Sequence, residues 1–101
     1  MKILALEMEM PGVAAQGFGP PHLKAEARRV WEIYQAGILR EVYFRQDQST
    51  AVLMLECTTV EQAHAVLSTL PLVQAGLIRF DVVPLAPYPG FARLFAPEGS
   101  A

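Results

Sequence analysis

Ala51-Val52-Leu53-Met54-Leu55-Glu56-Cys57-Thr58-Thr59-Val60-Glu61-Gln62 is the stretch that decides the fold. Residues 51–55 are apolar at every position, so both faces of this strand need cover, as in the middle of a sheet. The pattern then changes within three residues. Thr58-x-x-Glu61 and Thr59-x-x-Gln62 both fit a capping box, which predicts a helix starting at one threonine or the other. Val60, Ala63, Val66, Leu67 and Leu70 form its buried stripe, and Pro71 is expected to end it.

Working outward from this strand–helix unit, residues 39–46 alternate Val42 and Phe44 with Glu41, Tyr43 and Arg45. Gln46-Asp47-Gln48-Ser49 is a short polar turn, so 39–46 and 50–57 read as a hairpin. Upstream, residues 22–36 read as a helix after Pro20-Pro21. Leu23, Ala27, Val30, Trp31 and Tyr34 make one apolar stripe, Arg28 and Glu32 are spaced to pair, and Gly37 is placed to stop the helix. Residues 2–10 alternate with period two, Leu4, Leu6, Met8 and Met10 against Ile3, Ala5, Glu7 and Glu9. The Gly/Pro-rich segment 11–21 is a loop. Downstream, Ala75-Gly76 turns the chain into a last strand over 77–83, with Ile78, Phe80 and Val82 opposite Arg79, Asp81 and Val83.

The order is βαββαβ. Right-handed crossovers put two helices on one face of a four-stranded antiparallel sheet, a ferredoxin-like α+β fold. The face away from the helices is expected to carry Ile3, Ala5, Glu7, Glu9, Glu41, Tyr43, Arg45, Val52, Met54, Glu56, Arg79, Asp81 and Val83. Residues 1–90 form the single domain. Residues 91–101 form a C-terminal tail, expected to dock on the domain or on a partner subunit.

Composition narrows the class. The chain has 101 residues, 52% of them hydrophobic and 18% charged. That is apolar for a small domain, and it predicts that the free sheet face is covered by a second copy of the chain. A net charge of −2 without a basic cluster leaves no footprint for nucleic acid. No run of residues is long and apolar enough to span a membrane, and the Met1–Glu7 segment lacks a signal-peptide core. The single Cys57 allows no intrachain disulfide, which fits a cytoplasmic protein. Two histidines and one cysteine fall short of a zinc set, and no glycine loop has nucleotide-binding spacing, so no metal or other cofactor is expected.

Residues 31–90 carry a resemblance. Ala63-His64-Ala65-Val66-Leu67-Ser68-Thr69-Leu70-Pro71-Leu72, then Ile78, Val82, Pro84-Leu85 and Tyr88-Pro89, together with Trp31, Tyr34, Gly37 and Leu39, resemble the muconolactone isomerase family of dimeric α+β barrels, as a divergent branch. Tyr88 stands where that family has histidine. The resemblance implies an isomerase-like enzyme that shifts a proton in an unsaturated lactone or related carboxylate.

Such a reaction needs a base, a holder for the enolate oxygen and a holder for the substrate carboxylate. Glu7 or His22 would be the base and Tyr43 the hydrogen-bond donor. Arg45 and Arg79 would hold the anion, with Glu9 and Tyr88 also lining the site. The same charges also suit ion pairs along a sheet face or across a dimer interface, the commoner role of such groups. The alternative function is a non-catalytic dimeric module that binds a small ligand. His64 reads as a solvated helix residue, Cys57 as a small core hydrophobe, and Trp31, Tyr34, Phe44 and Phe80 as core aromatics.

Overall fold

The computed structural model describes residues 1–11 and 19–99. Positions 12–18, most of the expected loop with its Gly12 and Gly17, lie outside the described residues. The elements run β1 (Lys2–Glu9), α1 (Pro20–Gln35), β2 (Leu39–Phe44), β3 (Ala51–Glu56), α2 (Val60–Leu67), α3 (Pro71–Gln74), β4 (Ile78–Pro84) and a 3-10 helix (Gly90–Phe95). The sheet order is β2-β3-β1-β4, and each neighbouring pair is antiparallel. β3 and β1 are therefore central, as the two-faced apolar run over 51–55 requires.

Helix signals in the sequence act where expected. The Thr59 side chain accepts the Gln62 N–H at 3.0 Å, and Gln62 Oε1 returns to the Thr58 N–H at 2.7 Å. Gly37 has φ +81°, and the Gly37 and Ile38 N–H groups close back on Tyr34 and Ile33. This double closure demands a left-handed residue at position 37, which favours glycine. Pro71 does not end α2 but opens α3, occupying a first-turn position where its missing N–H costs nothing. The expected Arg28–Glu32 pair is replaced by Arg29–Glu32 at 3.5 Å, with Arg29 Nε donating to Thr69 Oγ1 at 2.9 Å.

The core lies between the helices and one sheet face. Ile3, Ala5, Leu53 and Leu55 from the sheet pack with Ile33, Ala63, Leu67 and Leu70. This corrects the expected orientation of β1. Ile3 and Ala5 are fully buried against the helices, so Glu7 and Glu9, which share their side, also point to the helix face. Leu4, Leu6 and Met8 take the open face instead. Pairing fixes the choice: Ile3 lies opposite Leu55, Ala5 opposite Leu53 and Val82, and Glu7 opposite Phe80. Residues directly opposite share a face.

An irregularity in β2 matters for the site. Leu39 pairs with Leu55, yet Glu41 pairs with Met54, so one extra residue is accommodated between them. The extra residue reverses the alternation. Leu39, Val42 and Phe44 all end up on the helix side, while Glu41 and Tyr43 face the open side.

After β4 the chain leaves the body. Gly90 is buried beneath the Tyr88 ring, which leaves no room for a Cβ at that position, and Tyr88 packs edge-on against Phe91 at 5.1 Å. Phe91, Leu94 and Phe95 are exposed rather than packed on the domain.

Candidate functional site

The outer strand β2 extends past the cover that α1 provides. Trp31 and Tyr34 on α1 stack at 5.6 Å, and they face Val42 and Phe44 across an open gap. The result is a cleft of about 800 Å³ between α1 and the sheet, floored by Leu39, Leu53, Leu70, Leu72 and Phe80. Trp31, Tyr34 and Phe44 are 57%, 50% and 73% exposed. These three aromatics are walls of a cleft, not core residues as their apolar spacing suggested; Phe80 stays half-buried.

Two charged side chains line this cleft, Glu7 from β1 and Glu26 from α1. Each uses one oxygen on the backbone. Glu7 Oε1 accepts the Ala51 N–H at 3.1 Å, at the start of β3. Glu26 Oε1 accepts the Leu72 N–H at 3.0 Å, one of the free donors of the first turn of α3. Among the described residues no protein donor reaches the second oxygen of either. Burial pushes the Glu26 carboxyl above its ordinary value, the Leu72 N–H works against that rise, and the Glu7 carboxylate adds to it.

Glu26 is the site residue that sequence reasoning missed, although a signal was present. It lies three residues after Leu23 and four before Val30, which puts a carboxylate on the apolar stripe of α1. A charge on an inward stripe marks either a paired residue or a functional one.

The other candidates lie outside this cleft. His22 sits in the first turn of α1, exposed. Tyr43 is on the open face, its hydroxyl donating to Glu41 Oε1 at 3.0 Å; that bond and the Glu41 charge raise its pKa. Arg79 pairs across from Met8 on the open face, so it and Tyr43 lie on the opposite side of the sheet from Glu7. Arg45 is held by Asp47, Nε to Oδ1 at 2.9 Å, and this contact keeps the Asp47 carboxyl below its usual range. Glu9 joins Glu7, Arg45, Gln48 and Thr50 around a second hollow of about 420 Å³ at the strand ends. Tyr88 is exposed beyond the end of β4. His64 is exposed on α2, and Cys57 is buried, with a thiol pKa raised by that burial.

Chemically, the cleft can receive a flat apolar ring and present two carboxyl groups to it. Among the described residues there is no cluster of three potential metal ligands, and no helix is long and apolar enough to cross a membrane.

No protein-family model and no curated protein matches the sequence. Solved structures do match. Muconolactone isomerase superposes with a TM-score of 0.69 at 16% identity, over 88% of this chain and 92% of that one. The 5-chloro-2-hydroxyhydroquinone dehydrochlorinase TftG from Burkholderia phenoliruptrix AC1100, in complex with 2,5-dihydroxybenzoquinone, superposes with a TM-score of 0.61 at 18% identity. It covers 87% of this chain and 96% of that one. With its four-stranded antiparallel sheet and the helices on one face, the chain has the muconolactone isomerase-like fold.

Proposed function

We propose that the chain is a small-molecule enzyme of the isomerase type, moving a proton on an unsaturated ring bound in the α1–sheet cleft. One observation carries this reading: two carboxyl groups share an aromatic-walled cleft, and one of them has its pKa raised by burial and by the other. A carboxyl with a raised pKa beside a second carboxyl suits an acid role opposite a base.

In this scheme the Glu7 carboxylate takes a proton from carbon next to a ring carbonyl. Glu26, whose raised pKa favours the protonated form more than an ordinary glutamate's does, donates a hydrogen bond in that form to the oxygen as enolate charge develops there. Glu7 then returns the proton to the carbon at the far end of the shifted double bond, and both carboxyls regain their starting states. Two neighbours of this fold, an isomerase and a dehydrochlorinase, are enzymes acting on small molecules by their names. A second copy would cover the open sheet face, and the tail with Phe91, Leu94 and Phe95 would dock on that copy. A non-catalytic binding module is the second reading; it is favoured by the backbone hydrogen bonds that already occupy one oxygen of each carboxylate.

The test is proton exchange at carbon. Unsaturated lactones and cyclic enones are incubated with the protein in D₂O, and loss of the ring C–H signal is followed by NMR. Exchange above the buffer rate is expected for at least one ring. Glu7→Gln should slow it by about 10²–10⁴-fold. Exchange that is absent throughout, or unchanged in that variant, overturns the proposal in favour of the binding module.

A further inference from the structure

The charge inventory of the cleft says what kind of ring it admits. The chain has eight Lys and Arg residues in all, and not one of them lines the α1–sheet cleft. Lys2 and Arg40 are exposed on the strands, Lys24 and Arg28 on α1, Arg79 on the open sheet face and Arg93 in the tail; Arg29 is drawn to Thr69 and Glu32. Arg45 lines the neighbouring hollow, which shares Glu7 and Ala51 with the cleft, but its guanidinium is bonded to Asp47. Both histidines are exposed and outside the lining. The charged groups that a bound molecule meets in the cleft are therefore Glu7 and Glu26.

Resting on the reading above, we infer that the ligand of this cleft enters uncharged: a flat, unsaturated, neutral lactone, enone or phenol that carries no free carboxylate or phosphate. An anionic substituent would have to leave water for a half-buried site with no cation to receive it, and it would be repelled by one or both glutamates. A neutral ring buries apolar surface against Trp31, Tyr34, Phe44 and Phe80, and its hydroxyl or carbonyl edge meets the second carboxyl oxygens of Glu7 and Glu26. A lactone carboxylate of the kind that the resemblance implies is accordingly the disfavoured member of the class.

The test is a matched pair of flat lactones, methyl coumarin-3-carboxylate and coumarin-3-carboxylate, titrated by calorimetry at pH 7 into the full chain. Quenching of Trp31, the single tryptophan, reports whether binding is in the cleft. The neutral ester should bind at least about ten-fold more tightly than the acid. In Glu7→Gln/Glu26→Gln the preference should shrink by at least about three-fold, because the repulsion is gone while the cost of desolvating the anion remains. Gln still offers an oxygen to the Ala51 and Leu72 N–H groups, and circular dichroism checks that the variant is folded. Equal or tighter binding of the acid overturns the inference, as does a preference unchanged in the variant or millimolar failure of both compounds to bind. The readout needs no turnover, so an absence of proton exchange with a clear ester preference would sink the catalytic reading alone.

Discussion

Glu26 on α1 has its pKa raised by burial and, to a smaller degree, by the Glu7 carboxylate on β1, which couples the two elements electrostatically across the cleft that separates them. Burial is the larger cause of the rise, and the Leu72 N–H opposes it. This coupling has a consequence for stability. The folded-state pKa of Glu26 lies above its unfolded value, so over the interval between them the unfolded chain has lost the proton while the folded chain retains it. Stability therefore falls as pH rises, from the ordinary glutamate value of 4.5 up to the raised folded value. Glu26→Gln removes the charge that the fold disfavours while keeping an acceptor for Leu72. The variant is expected to gain melting temperature over the wild type at pH 8 relative to pH 4. Thermal unfolding at both pH values measures this, and a difference independent of pH would contradict it.

Trp31 separates a cleft wall from a core. A buried tryptophan cut to alanine costs about 3–5 kcal/mol. Trp31 is more than half exposed, so Trp31→Ala is expected to cost about 1 kcal/mol or less in chemical denaturation. The same variant should lose most binding of the neutral coumarin ester, since the stacked Trp31–Tyr34 pair is the apolar wall. Large destabilisation with binding retained would return Trp31 to the core.

Gly37 fixes the exit of α1 toward β2, and with it the aim of Leu39 and Val42. Its φ of +81° disfavours any Cβ although no atom lies within 4 Å of one. Gly37→Ala is thus a test of backbone conformation without a clash. It should destabilise by about 1 kcal/mol, measured by urea unfolding. A neutral or stabilising effect would mean that the turn relaxes without cost.

The sequence made the order of elements legible because each boundary carries its own local chemistry: Thr59 and Gln62 at a cap, Gly37 at an exit, a polar turn at 46–49. The facing of β1 was not legible. Ile3, Leu4, Ala5 and Leu6 are apolar on both sides, and alternation separates two faces without saying which meets the helices. Only the pairing of Ile3 with Leu55 does that, and pairing is a long-range property. The same error carried Glu7 away from its cleft and grouped it with Tyr43 and Arg79. Glu26 was readable from helical spacing, but its partner Leu72 lies in α3, which Pro71 opens rather than prevents. The aromatic walls were misread because helical and strand spacing report a face, and a face can border a cleft as well as a core.

The open sheet face argues for a second copy. Leu4 lies opposite both Met54 and Val83, and Leu6 opposite Val52, which makes one contiguous apolar patch of half-buried side chains. A monomer would leave that patch to water, where it contributes nothing to stability and promotes association. The wild type is expected to elute as a dimer of the 11.1 kDa chain in size-exclusion chromatography with light scattering at micromolar concentration. Met54→Lys puts an ammonium at the centre of the patch. In a monomer the lysine stem lies over Leu4 and its charge reaches water, so folding should be little affected. In a dimer the charge is buried without a partner, and association should weaken by about 100-fold or more, the equivalent of roughly 3 kcal/mol. A wild-type monomer, or a dimer indifferent to Met54→Lys, would show that the patch is not the interface.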